Sequence, residues 1–191
     1  MADVTETERE SWWVLRAQSG DHEALSALLK AVQGPLFRYI VSLVREQPLA
    51  EDILQEVFIR IYRKLKWLEE PEMFRAWAYR IATRETFRHL KRERRWAEQV
   101  RDESALKMIP SPPPREEFAP ELLDRLPQMI TSLSPASRAV IVLYYLHEMS
   151  LDEAAAVLQI PLGTVKSRLA YGLASLRQQL KKNNGGRDVE Q

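Results

Sequence analysis

Between Ser150 and Leu180 the chain reads SLDEAAAVLQIPLGTVKSRLAYGLASLRQQL, and this stretch limits the fold more than any other. Ser150 followed by Glu153 is a capping box, in which each side chain satisfies a backbone donor left free at a helix start. Leu151, Ala154, Ala155 and Leu158 then recur at helical spacing. Ile160-Pro161-Leu162-Gly163 breaks that pattern, because proline blocks helix continuation and glycine permits turn dihedrals. A second helix restarts near Pro161 to Thr164, with a buried stripe of Val165, Leu169, Leu173, Leu176 and Leu180. At ~100° per residue its opposite face carries Thr164, Ser167, Ala170, Tyr171 and Ala174, flanked by Lys166 and Arg168. Two helices and a tight turn predict a helix-turn-helix. Small and hydroxyl side chains suit a helix that enters a major groove, and flanking cations reach phosphates. An ordinary helical hairpin with solvated cations is the competing reading.

The rest of the chain is read as helical too. Trp12, Trp13, Val14 and Leu15 open an apolar segment that stops at Ser19-Gly20, with Gly20 suited to a helix end and Asp21 to the next N-cap. Ala24, Leu25, Leu28, Leu29 and Val32 form a second stripe, which Gly34-Pro35 is expected to end. Leu36, Phe37, Ile40, Val41 and Val44 give a third. From Leu49 to Leu68 an amphipathic helix buries Ile53, Leu54, Val57, Phe58, Ile61, Leu65 and Leu68, and shows Asp52, Gln55, Glu56, Arg60 and Arg63 outside. Asp52, Gln55 and Glu56 form one polar patch, with Glu56 placed to pair with Arg60; on spacing alone this is a solvated face.

Pro71 suits the first turn of a further helix, which carries Phe74, Trp77, Ala78, Ile81 and Ala82 inward. Tyr79, Arg80, Thr83, Arg84, Phe87 and Arg88 mix aromatic and basic groups, the combination that stacks bases and tracks a single strand. A buried Trp77 beside a solvated basic face competes with that reading. Ile109 to Pro114 is the clearest linker, since proline favours extended backbone. Leu122, Leu123, Leu126, Met129, Ile130 and Leu133 then start a second module, and Ser134-Pro135 caps a helix carrying Val140, Ile141, Leu143 and Tyr144. With no strand alternation and no internal repeat, the expected fold is all-α, two small helical domains joined by a proline-rich linker. The expected boundaries are an N-terminal extension at 1–19, domains at 20–96 and 120–182, a linker at 97–119 and a tail at 183–191.

A net charge of +1 conceals an uneven distribution. From Arg84 to Arg95 six cations stand against two acids, and between Lys166 and Arg187 lie six cations and no acid. Two basic patches on a nearly neutral chain suit local nucleic-acid contacts, but phosphate neutralisation supplies most non-specific affinity, so free binding should be weak and a larger assembly is expected. The chain has no cysteine, which excludes disulfides and thiol chemistry. MADVTETERE lacks the basic and apolar parts of a signal peptide, and no unbroken run reaches the ~18 apolar residues of a membrane span, which makes the cytoplasm the expected location.

Three stretches together resemble the extracytoplasmic-function sigma factors, the two-domain specificity subunits of bacterial RNA polymerase. They are AEDILQEVFIRIY (Ala50 to Tyr62), FRAWAYRIA (Phe74 to Ala82) and LSPASRAVIVLYYLHEMSLDEAAAVLQIPLGTVKSRLAYGLASLR (Leu133 to Arg177). The likeness runs from about Gly20 to Leu180, leaving out both tails and the linker. It implies that Asp52, Gln55 and Glu56 dock on the clamp helices of the polymerase beta-prime subunit. It also implies that the helix from Phe74 to Arg95, with the loop before it, melts and reads the minus-ten element through Tyr79, Arg80, Thr83, Arg84, Phe87 and Arg88. Extruding a base costs a few kcal/mol, which stacking and cationic contacts must return. Thr164, Lys166, Ser167, Arg168, Ala170 and Tyr171 fall where the family reads the minus-thirty-five element.

The partners implied are RNA polymerase core, promoter DNA and a cognate anti-sigma factor, often membrane-bound. No cofactor, metal, small-molecule substrate or covalent chemistry is implied. Two departures bear on the choice of minus-ten base. Arg84 and Arg88 stand where the family usually has Asn and Asp, and Leu68-Glu69-Glu70-Pro71 replaces a loop in which small and basic residues are common. A stand-alone regulator binding duplex DNA as a dimer would account for Ser150 to Leu180, but not for the Asp52 patch or the basic helix at Arg84. An enzyme finds no support in the scattered His22, His89 and His147, or in any phosphate-cradling glycine loop or nucleophile motif.

Overall fold

The structure is a computed structural model and describes residues 5–92, 126 and 128–185. The linker expected at 97–119, the cations Arg94, Arg95 and Arg187, and Leu122 and Leu123 lie outside these residues. Among the described residues the regular structure is entirely helical.

Helices α1 (Glu6–Gln18), α2 (His22–Val44), α3 (Gln47–Lys64) and α4 (Phe74–Arg92) belong to the first of two compact units. Their ends follow from local chemistry. Thr5 and Glu8 form a capping box at the start of α1, with Thr5 N donating to Glu8 Oε2 at 2.8 Å and Glu8 N to Thr5 Oγ1 at 3.3 Å. Gly20, with φ of 96°, turns the chain at the far end, where its N–H reaches Ala17 O and that of Asp21 reaches Arg16 O, both at 3.1 Å. Asp21 then caps α2, accepting from the N–H groups of Glu23 (2.9 Å) and Ala24 (3.0 Å).

α2 runs unbroken through Gly34-Pro35, where the sequence predicted a helix end. Leu28, Val32, Leu36, Ile40 and Leu43 keep one phase across that pair, and all are buried. Burying such side chains stabilises by ~1.5–3 kcal/mol each, which together exceeds the ~3 kcal/mol cost of an interior proline. α2 is also long and apolar enough to cross a membrane, with a mean hydropathy of 1.3 over the qualifying window. Lys30, Gln33 and Arg38 interrupt its apolar run, and it packs against α1, α3 and α4.

α3 gives way at Lys64 to a tight 3-10 turn, Leu65–Trp67, short of its predicted end at Leu68. Ile53, Leu54, Val57, Ile61 and Leu65 are buried; Phe58 and Leu68 are only half-buried. A second 3-10 turn, Pro71–Met73, leads directly into α4.

α5 (Pro135–Ile141), α6 (Leu151–Leu158) and α7 (Leu162–Gly185) follow, and the second unit is built on α5 and α7. Ser134 caps α5, its Oγ accepting from Ser137 N at 3.2 Å. Arg138 is 3% exposed and binds the turn before α5, donating from Nε to Ile130 O (2.9 Å) and from Nη2 to Thr131 O (2.9 Å) and Leu133 O (2.8 Å). α5 passes into one π turn, Val142–Leu146. Gly172 lets α7 approach α5 closely, because a Cβ there would lie 2.5 Å from Ile141 Cδ1. The capping box expected at α6 is present: Ser150 N donates to Glu153 Oε2 at 2.7 Å and Glu153 N to Ser150 Oγ at 3.1 Å.

Candidate nucleic-acid interface and docking face

α4 touches α1, α2 and α3, so the arc it buries is wide. Tyr79 and Thr83, assigned from the sequence to an exposed nucleic-acid face, are each 3% exposed and belong to the core. Thr83 Oγ1 donates to Tyr79 O at 2.8 Å and lies 2.8 Å from Tyr39 Oη. Its single proton is thereby used, so the Tyr39 hydroxyl is the donor of that second bond. The Tyr39 and Tyr79 rings meet edge to face, 5.4 Å apart at 69°. Burial pushes both phenols above their ordinary pKa. A helix wheel missed this because Tyr and Thr read as surface residues, while here the Thr83 hydroxyl is satisfied by the Tyr79 carbonyl and the Tyr39 hydroxyl.

What α4 leaves outward is a narrower strip: Arg84 and Lys91 are exposed, and Trp77, Arg80, Phe87 and Arg88 are half-buried. At its N-terminal end a cavity of about 250 Å³ is lined by Trp67, Leu68, Glu69, Glu70, Met73, Ala76, Trp77 and Arg80. Trp67 is 65% exposed, and Lys66 Nζ sits 4.3 Å from the centroid of its ring. The cavity lining thus combines two indoles, a guanidinium and a thioether with the carboxylates of Glu69 and Glu70. Trp67 and Met73 were not singled out from the sequence. Their only signal was large apolar side chains in a charged loop.

On α3, Asp52 and Gln55 are exposed, and Ile59 (50%) and Tyr62 (60%) continue that face as apolar groups the sequence reading did not include. Glu56 is half-buried and turned toward α4, where Arg88 Nη2 donates to Oε2 and His89 Nε2 lies 3.2 Å from Oε1. The expected Glu56–Arg60 pair does not form. Arg60 Nε instead meets Glu85 Oε1 at 2.6 Å, and Arg88 Nη2 meets Glu85 Oε2 at 2.5 Å. Glu85 is 5% exposed, and a buried carboxylate claims nearby cations more strongly than one in solvent. For Glu56, partial burial opposes ionisation, but the His89 hydrogen bond and the charges of His89, Arg88 and Arg60 outweigh it and hold the carboxyl below its ordinary pKa.

On α7, Lys166 is exposed and Thr164, Ser167, Arg168 and Tyr171 are half-buried. Ala170 is 7% exposed, which corrects its expected place on the outer face. It sits beside Leu169 at the edge of the buried stripe, and a methyl group is too short to clear its neighbours. Ser167 Oγ donates to Gly163 O at 2.9 Å, leaving its lone pairs as acceptors. Pro161 O accepts from Thr164 N (2.9 Å) and Val165 N (3.1 Å), fixing the first turn of α7.

Residues 28–96 match the family model for Sigma-70 region 2, and residues 129–178 match that for Sigma-70 region 4. The ECF RNA polymerase sigma factor SigW of Bacillus subtilis (strain 168) is 30% identical over 177 residues, covering 88% of this chain and 95% of that protein. The RNA polymerase sigma-H factor of Pseudomonas aeruginosa PAO1 is 33% identical over 172 residues, 85% of this chain and 89% of that one. Among solved structures, CnrH in complex with the cytosolic domain of CnrY aligns with a TM-score of 0.67 and 25% identity, covering 91% of this chain and 98% of that chain. A region 2 followed by a region 4 defines a transcription initiation factor of the sigma-70 class. Within that class the chain belongs to the extracytoplasmic-function sigma factors, and it acts as an alternative sigma factor directing transcription.

Proposed function

We propose that the first unit docks RNA polymerase core through Asp52, Gln55 and Glu56 on α3, with Ile59 and Tyr62 extending the contact. The strip of Arg80, Arg84, Phe87 and Arg88 on α4 then follows the opened minus-ten strand, and one extruded base enters the Trp67–Trp77 cavity. Thr164, Lys166, Ser167, Arg168 and Tyr171 on α7 read the upstream element in duplex form. The observation that carries this reading is the cavity, which places two indoles and the Arg80 guanidinium beside a basic helix. Domains at 20–96 and 120–182, with 97–119 as linker, follow from the same reading, and α1, expected as part of an extension at 1–19, packs as part of the first unit. No covalent step is assigned, and the site of action is the bacterial cytoplasm. A protein partner that covers the docking face keeps the factor inactive; the similar protein CnrH is held in a complex with the cytosolic domain of CnrY.

The test is run-off transcription with core polymerase, followed by mapping of start sites. Starts at a defined distance from a shared two-part element are expected. Tight gel shifts of duplex DNA without polymerase, and no added transcription with it, would overturn the reading in favour of a stand-alone regulator.

A further inference from the structure

The loop that frames the Trp67–Trp77 cavity is tied to α1 at both ends. At its start, Gln18 Nε2 donates to Leu65 O at 2.9 Å and to Leu68 O at 2.8 Å. Just beyond its other end, Arg75 reaches back to the same helix. Its Nε lies 3.2 Å from each oxygen of Glu10, and its Nη2 donates to Glu10 Oε1 (2.6 Å) and Glu6 Oε1 (2.5 Å). Glu10 is a carboxylate only 4% exposed, and its hydrogen bond is the main cause that raises the Arg75 pKa above its usual value. α1 also packs directly on the Pro71–Met73 and Leu65–Trp67 turns. Between the anchors stand Trp67, Glu69, Glu70 and Met73 of the cavity wall.

α1 precedes the residues that match region 2. We propose that it is a splint for the base-binding loop, with Gln18 and Glu10 as positioning residues that hold Trp67 and Met73 in place for the extruded base. This rests on reading the cavity as a base pocket. Leu65 O already accepts from Leu68 N at 3.0 Å, so Gln18 adds a second donor there and bridges it to Leu68 O, joining the two ends of the turn. Fixing it from outside removes the ordering cost that base capture would meet.

The test uses the full-length protein with core polymerase and a promoter fragment carrying 2-aminopurine in the minus-ten strand. Gln18→Met and Gln18→Glu keep the side-chain length and remove both donors. The fluorescence rise on opening should slow by about tenfold, the scale of losing one or two net hydrogen bonds, while core affinity stays within experimental error. Val32→Ala, a core change in α2, controls for lost stability and should leave opening unchanged well below its unfolding temperature. Normal opening in both Gln18 variants would overturn the proposal, as would equal slowing in Val32→Ala. Unchanged opening in a Trp67→Ala, Trp77→Ala double variant would overturn the base pocket itself, a separate outcome.

Discussion

Glu56 of α3 is paired with Arg88 and His89 of α4, not with Arg60 one turn along its own helix. The patch proposed to dock polymerase therefore shares a carboxylate with the helix proposed to follow DNA. Asp52→Lys should reduce co-purification with core enzyme at unchanged urea stability, since Asp52 is exposed. Glu56→Lys should reduce it too, and should also lower stability by about 1 kcal/mol through the broken pair. Adding Arg88→Glu should not restore the stability, because Arg88 also pairs with the buried Glu85. Undiminished core binding by an Asp52→Lys, Glu56→Lys protein would rule out this face.

Thr83 is expected to act on stability rather than on DNA. Thr83→Val keeps the shape but removes the hydrogen bond that Thr83 Oγ1 makes with the buried Tyr39 hydroxyl, a loss of about 1 kcal/mol. Urea titration measures it directly. An unchanged unfolding midpoint with impaired promoter opening would return Thr83 to the DNA face.

Acid should loosen the first unit. Asp21, held low chiefly by the Ala24 N–H, and Glu56, where cations and the His89 hydrogen bond overcome burial, both have folded-state pKa values below their ordinary ones. Such groups contribute their full stabilisation above the unfolded carboxylate pKa of about 4, and lose it as pH falls through the folded value. Melting temperature should therefore fall from about pH 5 downward, and less steeply in a Glu56→Gln, Asp21→Asn protein. Equal slopes for the two proteins would contradict the assignment.

On α7 the outward groups should divide by role. Lys166→Ala should weaken every upstream sequence alike and reduce the salt slope by about one. Ser167→Ala and Tyr171→Ala should change which sequences are preferred, by about 1–3 kcal/mol per position. Selection from a randomised upstream element distinguishes them, and uniform weakening by all three would demote Ser167 and Tyr171 to phosphate contacts.

The features legible in the sequence were those set by near neighbours. Ser134, Asp21, Gly20 and the Ser150–Glu153 pair act within a turn, so residue type and spacing were enough to place them. What spacing alone did not supply was competition from other helices. Nothing within α3 says that Arg60 will be taken by a buried Glu85, and nothing within α4 says that Tyr79 and Thr83 will meet Tyr39. Pro35 misled for the same reason: its local cost is fixed, but the burial that outweighs it comes from three other helices. Gln18 and Arg138 were missed because their partners are carbonyls, which every residue carries and no pattern marks.

Gly172 has a mechanical consequence. It is where α7 bears on Ile141 of α5, and Thr164, Ser167 and Tyr171 all lie on its N-terminal side. That makes it a fulcrum. Thr164 is roughly 12 Å along the helix at ~1.5 Å per residue, so a tilt of about 5° moves it by ~1 Å, beyond the ~0.5 Å within which a working site must be held. A side chain here must displace either the tip of Ile141 or the helix, and in the second case the fault would be read as a changed promoter rather than a missing protein.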